Sequence, residues 1–199
     1  MKELVQAYNV FLHFLRKMFF YSLYKVWPLY IGSNVKIKVQ GEVNIGSGVR
    51  ISDGAKLHVE KNASLTIGDN VYIGDSTFIK CYSGGIVIGN DVSINAFSFL
   101  NGAGGISIGN ATRIGAHSIL ISSNHIFSDK EKLVKDQGTT AKGIFLGENI
   151  WLGARVTVLD DVNIVNNTVV GASSLVCKSI DVAGVYVGIP AKILKVNNL

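Results

Sequence analysis

Residues 86–121 read IVIGNDVSINAFSFLNGAGGISIGNATRIGAHSILI. Within this stretch Ile88, Ile94 and Leu100 stand six residues apart, and so do Ile108, Ile114 and Leu120. A six-residue unit is a short strand followed by a turn, and three such units close a triangular coil of eighteen residues. Stacked coils would bury one aliphatic per side in a continuous ladder, with parallel-strand hydrogen bonds between coils.

Outward from this stretch the same phase persists. Ile45, Ile51 and Leu57 precede it, followed by Ile67, Ile73 and Ile79; Leu146, Leu152 and Val158 come after, then Ile164, Val170 and Val176. Eighteen in-phase aliphatics specify an all-β fold, a left-handed parallel β-helix of hexapeptide repeats. Glycine follows many ladder positions, as in Ile73-Gly74, Ile114-Gly115 and Leu152-Gly153, and is read as relaxing the corner where the chain turns. Extra residues follow Ile37, Leu57, Ile79, Leu100 and Leu120, always the third member of a triplet, so every excursion should leave the prism from one corner. The longest spans 121–145 and is of a length that usually carries function.

Composition fits one domain with an appendage, residues 31–199 and 1–30 respectively. Twenty-two glycines against two prolines suit regularly spaced tight turns. Cys81 and Cys177 form no CxxC pair, which reads as a reducing compartment and a cytoplasmic location. The net charge of +5 suits an anionic ligand or surface without naming it, and no nucleic-acid partner is expected. In residues 1–30, His13, Arg16 and Lys17 interrupt the apolar run, so a membrane span fails. Lys2, Arg16, Lys17 and Lys25 against Glu3, interleaved with Phe11, Phe14, Phe19, Phe20 and Trp27, read either as an interfacial helix on the inner face of a membrane or as a cap on the first coil or an oligomer contact.

Of four histidines, His13 falls in the apolar helix, while His58 and His117 fall inside repeats where a structural or surface role suffices. His125, in Ile121-Ser122-Ser123-Asn124-His125, opens the long excursion and is the candidate for chemistry.

The order of motifs resembles the hexapeptide-repeat O-acetyltransferases, the family of galactoside and maltose acetyltransferases. The resemblance rests on Ile114-Gly115-Ala116 leading to Asn124-His125, on Leu146-Gly147-Glu148-Asn149-Ile150-Trp151-Leu152-Gly153-Ala154, on Val170-Gly171-Ala172-Ser173, and on Gly188-Ile189-Pro190-Ala191-Lys192. It implies an acetyl-CoA-dependent transfer of an acyl group to a sugar hydroxyl, with no metal and with His125 as general base. It places Asn95, where this sequence has no glycine after Ile94, as an asparagine that helps hold the reacting group. It makes Trp151 an aromatic lining the donor groove, and the amides around Gly153, Ala154, Gly171 and Ala172 contacts to the pantetheine arm. Lys178, Lys192 and Lys195 would sit near the coenzyme phosphates, and a homotrimer would form the groove between neighbouring prisms. An imidazole, with an ordinary pKa of about 6.5, can take the hydroxyl proton as the oxygen attacks the thioester.

The sequence departs from the family at Val165, at Asp160-Asp161 in place of a Pro-Gly corner, and at Cys177, and its N-terminal segment differs from that of the galactoside enzymes. A helix of this kind is more in keeping with surface-polysaccharide O-acetyltransferases. Rival readings are N-acylation of an amino sugar nucleotide, a ping-pong route through a cysteine, a non-catalytic scaffold, and a zinc β-helix, which would need a third histidine in register with His117 and His125.

Overall fold

The computed structural model describes residues 2–196, with side chains from residue 8 onward. After an α-helix, Lys2–Tyr24, the chain winds as a parallel β-helix whose short strands stack into three faces. The first face holds nine strands from Tyr30–Ile31 to Lys192–Val196, the second seven from Lys36–Val39 to Leu175–Val176, and the third six from Glu42–Ile45 to Val162–Ile164. Pairing within each face is parallel throughout the coils, in the registers Ile51↔Ile73, Leu100↔Leu120 and Ile108↔Leu146. The last strand alone turns back, antiparallel to Gly184–Val187.

All the aliphatics counted in phase are buried except Ile45, which lies half-buried in the first coil. Two positions before each ladder residue of the first and second faces lies a further buried column the hexad count does not reveal, mixing aliphatics such as Val71, Val92 and Val156 with the hydroxyl residues Thr77, Ser98, Thr112 and Ser118. Those hydroxyls reach across to carbonyls of the neighbouring coil, Ser98 Oγ donating to Gly115 O at 3.2 Å and Ser118 Oγ to Gly153 O at 3.2 Å. Among the described residues no buried side-chain polar atom lacks a partner, so the polar column costs the core little.

The ladder glycines have a different reason from the one inferred from sequence. A Cβ on Gly115 would lie 2.5 Å from the Ala154 nitrogen, and one on Gly153 would lie 2.6 Å from the Ala172 nitrogen. These glycines allow the next coil to approach. The left-handed backbone falls two residues later and is taken by non-glycine residues such as Ser76, Phe97, His117, Arg155 and Ser173. Asparagine and aspartate hold the equivalent place at the other corners, in Asn70, Asp91, Asn149, Asp161 and Asn167, because their short polar side chains tolerate it best.

The excursions leave between the second and third faces, as the spacing predicts. The N-terminal helix ends where Lys25 turns left-handed at φ 58°, its N–H bonding back to Tyr21 O. Phe20 is 3% exposed and joins the core above the first coil, with Tyr24 packed beside it, while His13 stacks on Tyr30 at 4.9 Å. Trp27 folds back under Phe14 and Tyr21, and Lys17 Nζ lies 5.3 Å above its ring. Phe11 and Phe19 point to solvent, 57% and 68% exposed. The helix thus caps the prism with one side and leaves an aromatic side open. The side chains of Lys2 and Glu3, counted in its charge balance, lie outside the described residues.

Candidate active site

The long excursion is built as a two-stranded arm. Asn124–His125 pairs antiparallel with Thr139–Thr140, placing His125 opposite Thr139 and Asn124 opposite Thr140. Ser122, buried at the root, donates through both its N–H and its hydroxyl to Asn101 O, at 3.1 and 2.7 Å. Farther out, Gln137 closes the tip: its Oε1 accepts from Asp129 N at 3.0 Å and its Nε2 donates to the carbonyls of Asp129 and Lys132. His125 itself is exposed.

The returning limb is fixed by Asp160, 6% exposed at the corner where the family resemblance leads one to expect Pro-Gly. Its Oδ1 accepts from the N–H groups of Lys142 and Gly143, at 2.9 and 2.8 Å, and its Oδ2 from Thr140 Oγ1 at 3.2 Å. Beside it Asp161 takes the Lys142 ammonium at 2.6 Å, and the resulting pair holds the lysine protonated above its ordinary pKa. A buried carboxylate with three donors is a satisfied charge, and here it ties the arm to the prism. Sequence reasoning noted Asp160-Asp161 as a departure but found no role for it. A cleft of about 440 Å³ opens at this root, lined by Asn124, Thr140, Lys142, Asp160, Cys177 and Lys178 among others.

The other residues singled out from the sequence lie elsewhere on the prism. Trp151 is 58% exposed on the first face, in register with Arg113 and Val169. Gly153-Ala154 and Gly171-Ala172 follow at the corner between the first and second faces. Gly153 N–H donates to Val170 O and Gly171 N–H to Tyr186 O, both at 2.8 Å, so those amides are committed to the ladder. The N–H groups of Ala154 and Ala172 make no backbone hydrogen bond among the described residues. Asn95 stands in this same corner column, because Ile94, Ile114, Leu152 and Val170 are in register. Its Nδ2 donates to Ile114 O at 2.8 Å. Within one chain the structure therefore does not bring Asn95 together with His125, which leaves from the next corner. The residue at the arm's root is Asn101, on the second face, three strands on from Lys36–Val39.

The three lysines are also divided. Lys178 lies in the cleft beside the arm, while Lys192 and Lys195 are exposed on the final strand of the first face, opposite Val187 and Val185. His117 stacks on Phe97 at 4.9 Å and His58 meets the edge of Phe78 at 5.0 Å, the surface roles anticipated for both. Cys81 is buried, and burial pushes its thiol up to about 11.

A parallel β-helix of hexapeptide coils bearing a histidine on an arm from one corner defines a class, the hexapeptide-repeat acyltransferases. No family model matches the chain. It is 31% identical over 163 residues to the dTDP-4-amino-4,6-dideoxy-D-glucose acyltransferase of Escherichia coli, covering 79% of this chain and 84% of that one. It is 30% identical over 162 residues to the putative lipopolysaccharide biosynthesis O-acetyl transferase WbbJ of Escherichia coli K12, covering 81% and 76%. It spans about half the length, 53%, of a probable acetyltransferase of Mycobacterium tuberculosis that it matches at 29% identity over 82% of its own. The fold is shared with AntD, an N-acyltransferase from Bacillus cereus solved with dTDP and coenzyme A, at a TM-score of 0.56 and 22% identity over 90% of this chain and 88% of that one. The chain belongs to the hexapeptide-repeat acyltransferase family.

Proposed function

We propose that the protein transfers an acetyl group from acetyl-CoA to a hydroxyl of a surface polysaccharide or its lipid-linked precursor. The observation that carries this reading is the placement of His125 on an arm whose strand pairing, root and returning limb are all tied to the prism. A base must stay within hydrogen-bond reach of the acceptor proton through the attack, and the arm supplies that constancy. Direct transfer needs no enzyme nucleophile, and the buried Cys81 thiol, pushed up by desolvation, is poorly suited to be one.

The donor half lies on the first face. Trp151, the amides of Ala154 and Ala172, and the cations Lys192 and Lys195 suit an elongated thioester with a phosphate-bearing end. Because these groups and His125 occupy different corners of one prism, the reading requires a neighbouring copy to complete the site, as a homotrimer would. Acetyl-CoA binding and light-scattering mass, measured together, test this half: a monomer that binds acetyl-CoA fully and turns over would overturn the shared site.

The relative that acylates an amino sugar nucleotide supports a second reading, N-acylation of such a sugar. Mass spectrometry of products from acetyl-CoA with a panel of neutral glycans, acidic glycans and nucleotide-linked amino sugars separates the two, since an amide survives mild base and an ester does not. Acylation of the amino sugars alone would replace the first reading by the second.

For the N-terminal helix the exposed Phe11, Phe14 and Phe19 beside Arg16 and Lys17 support peripheral contact with an anionic membrane. Each cation near such a surface contributes about 1 kcal/mol. No helix among the described residues is long and apolar enough to cross a membrane. Liposome co-sedimentation of the full chain, with and without phosphatidylglycerol, tests the contact, and indifference to the anionic lipid would leave the helix a structural cap.

A further inference from the structure

The third face carries an outward column in register, Thr66, Val87, Ser107, Phe145 and Asn163, one residue from each successive coil. Val87 and Phe145 are 47% and 51% exposed and stand on either side of the half-buried Ser107, with the exposed Asn163 one coil beyond Phe145. These four residues line a groove of about 370 Å³. Its wall toward the arm is bare backbone, at Gly104, Gly105 and Gly143. Gly105 and Gly143 hold left-handed φ angles of 90° and 102°, where a side chain would be strained, so the groove stays open on that side.

The groove is continuous with the candidate site. Phe145 sits in Ile144–Leu146, the strand into which the arm's returning limb runs. Lys142 and Asp161 line both this groove and the cleft at the arm's root, so their ion pair forms the sill between the two. That pair is also the whole charge of the groove: Lys142 is the one cation and Asp161 the one anion among its described lining residues. With each neutralising the other at 2.6 Å, the groove offers no net charge to a ligand. The shared site sets the first–second corner of one copy against the arm of a neighbour, which turns the second face inward and leaves the third face outside. A polymer that places one sugar at His125 has to run on across an outward surface, and the third face is the one that adjoins the arm.

We infer that this groove is a subsite for an uncharged stretch of glycan, which packs a sugar on Phe145 and Val87, hydrogen-bonds to Ser107 and Asn163, and continues across the Lys142–Asp161 sill to the arm. A sugar ring has an apolar C–H face and a rim of hydroxyls, so it is held where an open aromatic and polar side chains stand side by side. The alternation of apolar and polar residues up this column provides that pairing on neighbouring coils, about 4.8 Å apart. Only the statement that the bound glycan is the acceptor rests on the acyl-transfer reading; its binding to the third face does not.

The test titrates the full-length protein, without donor, with fluorescent neutral tetrasaccharides of glucose, galactose, rhamnose and N-acetylglucosamine, and with tetragalacturonate as the acidic control. At least one neutral tetrasaccharide should bind, with an affinity that salt leaves unchanged because no net charge is screened. Phe145→Ser should weaken it roughly tenfold, the loss of one stacked ring. Asn163→Ala, at an exposed site, should weaken it about fivefold through one hydrogen bond. Acetyl-CoA affinity and oligomer mass should be retained in both variants. Absence of binding by every neutral tetrasaccharide overturns the subsite, and so do wild-type affinity in Phe145→Ser and a preference for tetragalacturonate. Weakened acetyl-CoA binding in Phe145→Ser would give the groove to the donor, and loss of oligomer mass would make it a contact between copies; either outcome also overturns it. The same titration on His125→Ala keeps the two readings apart: binding should persist there, and a wild-type protein that binds a tetrasaccharide through Phe145 yet acylates no acceptor of any class sinks the acyl-transfer reading alone.

Discussion

The hydroxyl of Thr140 donates to the carboxylate of Asp160 at 3.2 Å, and Thr140 pairs with Asn124 in the strand that carries His125. The corner residue therefore acts on the histidine through one strand pairing. Asp160→Ala should strand the Lys142 and Gly143 N–H groups and cost about 2–4 kcal/mol of stability. It should also lower kcat by roughly 10- to 100-fold through misplacement of the arm, with the KM for acetyl-CoA little changed. Asp160→Asn keeps an oxygen for both backbone donors and should recover most of the rate. Equal losses in the two variants would show that charge, and not position, is what Asp160 supplies.

The ladder glycines should be less tolerant of a side chain than the loop glycine. Gly115→Ala would press a methyl to 2.5 Å from the Ala154 nitrogen and should cost about 3 kcal/mol. Gly138, at φ +81° with nothing within 4 Å of a built Cβ, should cost only about 1 kcal/mol as alanine, from backbone strain. Thermal unfolding of both variants checks the order, at roughly 2–4 °C per kcal/mol for a chain of this size.

Phe20 and Phe19 are neighbours with opposite duties. Phe20→Ala removes a core contact and should cost about 3–5 kcal/mol, whereas Phe19→Ser, at a 68% exposed site, should leave stability nearly unchanged. Vesicle binding should follow the reverse order. If Phe19→Ser is as destabilising as Phe20→Ala, the open side of the helix is packed in the assembled protein.

The thiols should report the same inside and outside. With its pKa pushed up to about 11 by burial, Cys81 stays protonated and out of reach near neutral pH. Alkylation at pH 7.5 should modify the exposed Cys177 in the folded protein and both cysteines after unfolding. Cys81→Ala should retain turnover, and its loss in a folded variant would reopen a covalent route through cysteine.

Much of this architecture could be read from spacing alone, because a ladder residue must recur with the strand-and-turn unit or leave the core. The corner from which the arm departs followed from the same count. So did a placement that motif matching obscured: Asn95 comes directly after Ile94 of the first face, while His125 follows Leu120 of the second, and the hexad phase already puts them on different corners. What spacing could not reveal depends on where a long excursion returns. Asp160 acquires its donors only when residues 140–143 come back to the prism.

The base assignment for His125 is tested most directly by steady-state thiol release from acetyl-CoA with the best acceptor of the panel, comparing wild type and His125→Ala with donor affinity measured alongside. Loss of a general base should lower kcat by roughly 10²- to 10⁴-fold while acetyl-CoA binding stays close to wild type. Near-normal turnover in a folded His125→Ala protein would contradict the account.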